Sequence, residues 1–547
     1  MKPRILFCNE FSELKTGYSV YGHEVLSRLY QSGRYDIFEL ACYSHHSDPR
    51  NYQVPWTVYS NLPDENNQKH MEVYSSNPHN QFGEWRFEEV CLDCMPHIVC
   101  DIRDFWMMSY QFRSPFRPYY NHCIMPTVDA YPQNEEWISS YATADGVFTY
   151  QNWSKKVLDF ESAGKIKTLG AASPAADTAF QPMDRDTIRK SVGLEDFKII
   201  GTVMRNQRRK LFPDLFGAFK AFLDQTKRTD IYLYCHTSYP DMGWDIPKLL
   251  LQYGLVSKVL FTYVCKGCSH VHPNFFNDVV VACPKCGQIS SGMANVQVGV
   301  DNNVLAAIIN MFDVYVQWAN SEGFGMPIIE AAACGTPVIG VDYSAMSDCI
   351  RKVGGVPIEP IALTMELETG CFRAVPNNDK LIDKLIMFFE TLDESQRQEL
   401  RVKARRAYTA NYSWDITAEK WANYFNTVNI ERYNAAWGSP ARIHNIPQDY
   451  PKNISNAMYA KWLISEVLGE PRFLNSYMES RLIRDLNYEV TNPGVAGMYF
   501  NDQSAMFTKP QWQPFTKEVA FKHFQDLGRR KNVWEERRWN KVQSTKK

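Results

Sequence analysis

Short apolar runs alternate with helical patterns from residue 5 to residue 341, and this alternation limits the fold more tightly than any other feature of the chain. Ile5-Leu6-Phe7-Cys8 reads as a strand. Gly17 and Gly22 bracket the start of an amphipathic helix through Val25, Leu26, Leu29 and Tyr30, and Phe38 to Cys42 reads as the next strand. A strand, a glycine-containing turn and a helix in this order form a βαβ unit whose strand ends face a crevice. Further runs lie at 97–99, 123–126 and 146–148. A second set opens with the buried-type strand 198–203, followed by a basic loop, a helix through Leu215, Ala218, Phe219 and Phe222, and the strand 231–234. Residues 306–316 read as helix then strand, and 338–341 as another strand. The pattern predicts an α/β protein of two Rossmann-like domains, residues 1–185 and 186–430, with a break near Pro182 and a cleft between them that holds the site.

Composition bounds what else the chain can be. Its 547 residues allow three or four domains at roughly 150 residues each. A hydrophobic content of 45% with 22% charged residues excludes extended disorder. Fifty-nine basic against 61 acidic side chains exclude a whole-protein field that steers the chain onto nucleic acid or anionic lipid. The apolar run at Ile5 to Cys8 is too short for a signal segment, and no stretch approaches the ~18 apolar residues of a membrane helix, so a cytoplasmic protein is expected. Beyond residue 430 the alternation stops, and 431–547 reads as a mostly helical appendage with helical stretches at 457–468 and 515–527. From Phe521 onward it holds nine Lys or Arg and three Asp or Glu, a local charge of +6.

Three segments carry chemistry. In Ser321 to Val338, Pro327 suits the first turn of a helix, and Gly335 with Pro337 ends it. Glu322-Gly323-Phe324-Gly325 is therefore a loop feeding a helix N-terminus, where exposed amides favour a phosphate and the glycines let it approach. Glu322 and Glu330 are placed to accept hydrogen bonds from sugar hydroxyls. In the second segment, Arg205-Asn206-Gln207-Arg208-Arg209-Lys210 sets four cations in six residues after a strand, which suits a diphosphate. The third is Cys265-x₂-Cys268-x₁₄-Cys283-x₂-Cys286, the spacing of a closed tetrahedral zinc site in a ribbon spanning 264–292. His270 and His272 are alternative ligands, but the cysteine set is complete without them. Cys91 and Cys94 lack a partner pair and read as core. Asp184-Arg185-Asp186 reads as charge at a helix N-terminus rather than a metal motif.

The Glu322 to Glu330 segment resembles the glutamate–seven–glutamate motif of retaining GT-B glycosyltransferases, in particular glycosyltransferase family four. Ala176-Asp177-Thr178-Ala179-Phe180-Gln181-Pro182 is similar to that family's domain-boundary segment, and Trp414 to its closing helix. The resemblance covers about residues 3 to 428 and is interrupted by the ribbon. It implies a nucleotide-diphosphate sugar as donor, with Glu322 meeting the sugar hydroxyls, Glu330 the ribose, and Arg205 and Lys210 the diphosphate; Arg208 and Arg209 are left unassigned. It also implies transfer with retention through front-face attack, the leaving diphosphate helping to deprotonate the acceptor, with no metal at the reaction centre. Thr16-Gly17-Tyr18-Ser19 resembles the family's glycine-rich first loop near the donor phosphates, reduced to one glycine, Gly17. Pro126 to Tyr131 stands where many members carry His-Asp. Val128 takes the histidine's position, and its role is lost or passes to Asp129, which otherwise is a turn residue capping the next helix. The acceptor stays open between a glycan, a small molecule, a protein and nucleic acid. A competing reading is a catalytically silent GT-B scaffold whose ribbon and basic tail bind nucleic acid.

Overall fold

A computed structural model describes residues 1–295, 299–469, 476–491 and 516–545. The first sheet is built from β1 (Arg4–Glu10), β2 (Asp36–His45), β3 (Thr57–Leu62), β4 (Ile98–Asp101), β5 (Asn121–Ile124), β6 (Gly146–Thr149) and β7 (Thr168–Ala171), in the order β3-β2-β1-β4-β5-β6-β7. Every pair is parallel. Parallel sheets are covered on both faces, and β1 shows it: Ile5, Leu6, Phe7 and Cys8 are all fully buried although they alternate between faces. The second sheet uses β8 (Lys198–Val203), β9 (Ile231–His236), β10 (Val259–Cys265), β11 (Val271–Phe275), β12 (Val280–Ala282), β13 (Ile289–Met293), β14 (Val314–Gln317), β15 (Val338–Val341) and β16 (Val356–Ile358). Its order is β12-β13-β10-β9-β8-β14-β15-β16, with β11 also on β10. A hairpin of β17 (Ala362–Met365) and β18 (Phe372–Val375) stands apart.

In each sheet the strand order reverses once, between β1 and β4 and between β8 and β14. The loops leaving the carboxyl ends of those strands diverge there and leave a crevice. The chain crosses back to the first sheet through the helix Trp414–Phe425. Trp421 is fully buried against Phe7 and Phe148, and its indole N–H donates to the Tyr21 hydroxyl at 2.9 Å.

The ribbon is part of the second sheet rather than a separate knuckle. β10 runs on past its pairing with β9 to join β13, and β11 folds back along its other edge. The four cysteines sit where β10 ends and in the turns between these strands.

Beyond residue 430, the helix Ile430–Trp437 buries Trp437 among Phe116 and Tyr119 of the first half. A small core of its own joins Tyr459, Leu463, Val467, Leu482, Phe521 and Phe524. The helix predicted over 515–527 is the first part of a longer one, Lys517–Thr545, and Phe515 lies outside the described residues. Much of the tail's positive charge has partners. Arg530, Arg537 and Lys541 face Glu88, Glu89 and Asp93 along the helix Phe87–Cys94, at 3.3, 2.7 and 2.9 Å. Cys91 and Cys94 of that helix are buried in the core, as expected.

Arg538 is the anchor. It is fully buried, pairs with Glu535 at 2.7 Å, and donates to the carbonyls of Trp437, Ser439 and Pro440. Glu535 in turn accepts the Tyr119 hydroxyl at 2.5 Å. Removing one member of a buried ion pair leaves the other uncompensated, at a cost of about 3–5 kcal/mol. Arg538→Ala is therefore expected to lower the thermal unfolding midpoint and expose the appendage to protease, while Arg529→Ala, whose Asp526 partner is exposed, leaves both unchanged.

Candidate active site

Loops from both halves converge at the two switch points. After β1, Thr16 caps the helix Gly17–Gln31, accepting from the Ser19 amide at 3.2 Å. A Cβ at Gly17 would meet nothing within 4 Å, so this backbone is open. Gly22 is required for a different reason: a Cβ there would lie 2.6 Å from Asn9 Nδ2, which holds the Tyr18 carbonyl at 2.8 Å. Tyr18 reaches across to Thr127, hydroxyl to hydroxyl at 2.8 Å.

From the second half, Glu322 follows β14 and is buried to 6% exposure. One carboxylate oxygen accepts from the Lys210 ammonium and from Gln317 Nε2 at 2.8 Å, and the other accepts from Arg209 at 2.5 Å. The Glu322 amide donates to Ser344 Oγ at 2.9 Å, so backbone and side chain are both fixed. Burial, reinforced by the neighbouring charge of Arg209, pushes the Lys210 ammonium well below its ordinary range. Gly323 touches the first half, since a Cβ there would come within 2.4 Å of Thr127 Cγ2. Phe324 is buried against Tyr150 and Tyr412. Gly325 holds φ +96°, a left-handed conformation suited to glycine, and opens the helix Met326–Ala333 with Pro327 in its first turn.

Glu330 projects from that helix with no side-chain hydrogen bond among the described residues. Burial, with a smaller push from Asp177, raises its carboxyl to about 7. It lies on the same helix as Gly325 but does not join the Glu322 cluster.

The cations of the basic loop divide. Arg205 turns away to Asp241, at 3.0 and 3.1 Å, and remains 45% exposed at its side chain. Arg209 and Lys210 are the pair that meets Glu322. Asn206 sets this division: its side chain is buried, exchanging bonds with the Trp244 carbonyl and amide, both at 2.8 Å, and so pins the middle of the loop.

Val128 is buried in the core of the first half, whereas Asp129 faces the cleft. Asp129 pairs with Arg373 of β18 at 2.9 Å, and Arg373 also donates to Ser321 Oγ at 2.7 Å and to Glu366 at 2.9 Å. The β17–β18 hairpin thus ties the two halves together beside Glu322. The Phe372 amide donates to the Tyr131 carbonyl at 2.7 Å.

Sequence reasoning missed Arg373, which no motif marks, and Asp104. Asp104 follows β4 and is half-buried; burial and then the charge of Asp129 raise its carboxyl to about 7, against the Thr127 and Tyr18 hydroxyls and Arg209. Asp184 caps the helix Arg185–Ser191 through the Asp186 and Thr187 amides, as its sequence position implies.

The sulfurs of Cys265, Cys268, Cys283 and Cys286 all lie within 4.8 Å of one another, with Cys265–Cys286 at 3.6 Å and Cys268–Cys283 at 3.7 Å. Tetrahedral zinc–thiolate bonds of ~2.3 Å separate the sulfurs by about 3.8 Å, so the set fits that ion. The Lys285 amide and the Ser290 hydroxyl lie at 3.4 and 3.1 Å from ligand sulfurs. His272 contacts Ser291 and lies outside the cluster.

Residues 292–406 match the family model of "Glycosyl transferases group 1". The chain is similar to sucrose-phosphate synthase from Thermosynechococcus elongatus, with a TM-score of 0.54 and 16% identity over 78% of this chain and 98% of that one. It is similar also to Anabaena HepE in complex with UDP-glucose, at a TM-score of 0.54 and 12% identity, covering 78% of this chain and 99% of that one. These likenesses show the GT-B fold. A sucrose synthase of Melioribacter roseus is 24% identical over 123 residues, 22% of this chain, and the match spans 14% of that relative's length. No helix among the described residues is long and apolar enough to cross a membrane.

Glu330 gives the site a pH signature. A carboxyl whose folded value lies near 7, above its ordinary 4.5, adds stability in full below about pH 4.5 and loses it as pH rises through about 7. Glu330→Gln should therefore gain in melting temperature over the unsubstituted protein as pH rises from about 5 to about 8, with the two curves meeting at the acid end.

Proposed function

We propose that this chain, a GT-B protein whose residues 292–406 belong to the glycosyl transferases group 1, transfers a sugar from a nucleotide-diphosphate sugar to a hydroxylated acceptor with retention of configuration. The observation that carries the reading is Glu322 held by Arg209, Lys210 and Gln317 at the crevice between the two halves. An anion at the neighbouring helix N-terminus draws on the same two cations, and a carboxylate between them and the sugar accepts hydroxyl hydrogens. In this reading residues 186–430 bind the donor and residues 1–185 present the acceptor. UDP-glucose is the first donor to test, because HepE is seen in complex with it.

Glu322 meets the sugar hydroxyls and Glu330 the ribose. The diphosphate lies against the open amides of Gly323, Phe324 and Gly325 and of the helix they begin, with Gly17 opposite. Arg209 and Lys210 neutralise it, and Arg205 joins them when it leaves Asp241. The acceptor oxygen attacks the anomeric carbon from the face the diphosphate leaves. The bond to the diphosphate breaks with its electrons passing to the phosphate oxygen, which takes the acceptor's proton. The largest contribution of the protein is preorganised charge around the departing group, supplied by these cations and amides without a metal at the reaction centre. Asp129, fixed by Arg373, faces the sugar from the first half.

Cys265, Cys268, Cys283 and Cys286 hold a structural zinc. Four thiolates close its coordination shell, so its role is to fix the turns of the ribbon where β10 overruns β9. None of the fourteen cysteines forms a disulfide, which fits a reducing, cytoplasmic compartment.

A thermal-shift panel of nucleoside diphosphates and their sugars identifies the donor, since a ligand at 100 times its dissociation constant adds about 2.7 kcal/mol of apparent stability. Glu322→Ala and Lys210→Ala are each expected to cut sugar transfer by about 100-fold or more while the chain stays folded by circular dichroism. Turnover at the unsubstituted rate in both would refute these assignments. Purified protein should carry one zinc per chain by elemental analysis, and Cys283→Ser should lose it and unfold at a lower temperature.

A further inference from the structure

Asp104 is a carboxylate in the cleft that the reaction as described leaves unused. It stands at the N-cap position of the helix Phe105–Arg113, yet its side chain makes no capping bond to that helix. Its neighbours lie in the cleft instead. The hydroxyls of Tyr18 and Thr127 stabilise its charged form, Arg209 faces it from the second half, and Asp129, Tyr141 and Tyr150 complete the groups around it. We propose that Asp104 binds the acceptor, receiving a hydrogen bond from an acceptor hydroxyl next to the one that attacks. The inference rests on the donor reading above and adds that the acceptor is a carbohydrate or similar polyol.

Three observations support it. Asp104 leaves β4 at the switch point of the first sheet, so it belongs to the crevice that faces the donor loop. That loop comes close: Gly323 packs directly on Thr127, one of the two hydroxyls beside Asp104. A carboxylate offers about four lone-pair sites, so two hydroxyl partners leave room for a hydroxyl donor from a ligand.

The ionised form is the stronger hydrogen-bond acceptor. With its carboxyl raised to about 7, Asp104 becomes competent as pH rises through that value. The test follows UDP release from UDP-glucose with and without free glucose, fructose or glycerol as acceptor, together with the melting shift that UDP-glucose induces. Asp104→Asn is expected to keep the donor-induced shift and the slow release to water, and to lose about tenfold or more of the release that the polyol stimulates. Its rate should also lose the rise through about pH 7 that the unsubstituted enzyme shows, and Asp104→Glu should recover that rise. Polyol-stimulated release by Asp104→Asn at the unsubstituted rate, or a donor shift with no stimulation by any of the three polyols, overturns the acceptor assignment alone. Neither shift nor release in the unsubstituted protein overturns the donor reading and this inference with it.

Discussion

The site exists because strand order reverses once in each sheet. Between β1 and β4, and again between β8 and β14, adjacent strands send their following segments in opposite directions, which opens a crevice at their carboxyl ends. The glycine loop at Gly17 follows β1, Asp104 follows β4, Arg209 and Lys210 follow β8, and Glu322 follows β14. Four chemically distinct loops are thus drawn to two openings by topology alone. The helix Trp414–Phe425 then fixes how the openings face each other, by burying Trp421 in the first half while the chain that precedes it belongs to the second.

Charge organisation follows from that geometry. Glu322 is buried between two cations and an amide, so its charge is compensated and one positive charge is left over for an anion. A buried carboxylate and ammonium tolerate this only when paired. Diphosphate binding redistributes the same partners instead of demanding new ones, which keeps the reorganisation small. The Asp129–Arg373–Ser321 linkage acts at the same place across the cleft, and it couples the hairpin β17–β18 to the approach of the two halves.

The sheets were legible because parallel strands buried on both faces must be largely apolar, as Ile5 to Cys8 are throughout and Ile199 to Val203 are but for Thr202. The Glu322–Glu330 loop and helix were legible from Pro327, Gly335 and the glycines between, and the cysteine cluster from its spacing. What the sequence left open involved partners far away along the chain. Four cations in six residues do not say which one reaches Glu322; Asp241 holds Arg205, and Trp244 pins the loop through Asn206, each more than thirty residues away. Arg373 meets Asp129 across 244 positions. The tail looked like a free basic surface, yet several of its cations lie against Glu88, Glu89 and Asp93 some 440 positions earlier. Asp104 carries no motif, and its importance arises only from which strands flank β4.

The central claim is that Arg209, Lys210 and the helix after Gly325 form a diphosphate site beside Glu322. Calorimetric titration of the unsubstituted chain with UDP and with UMP tests it most directly, because the two differ by one phosphate at the position these groups occupy. The account predicts that UDP binds at least tenfold more tightly than UMP and that Lys210→Ala removes most of the difference. Equal affinity for UDP and UMP, or a difference unchanged by Lys210→Ala, would contradict it.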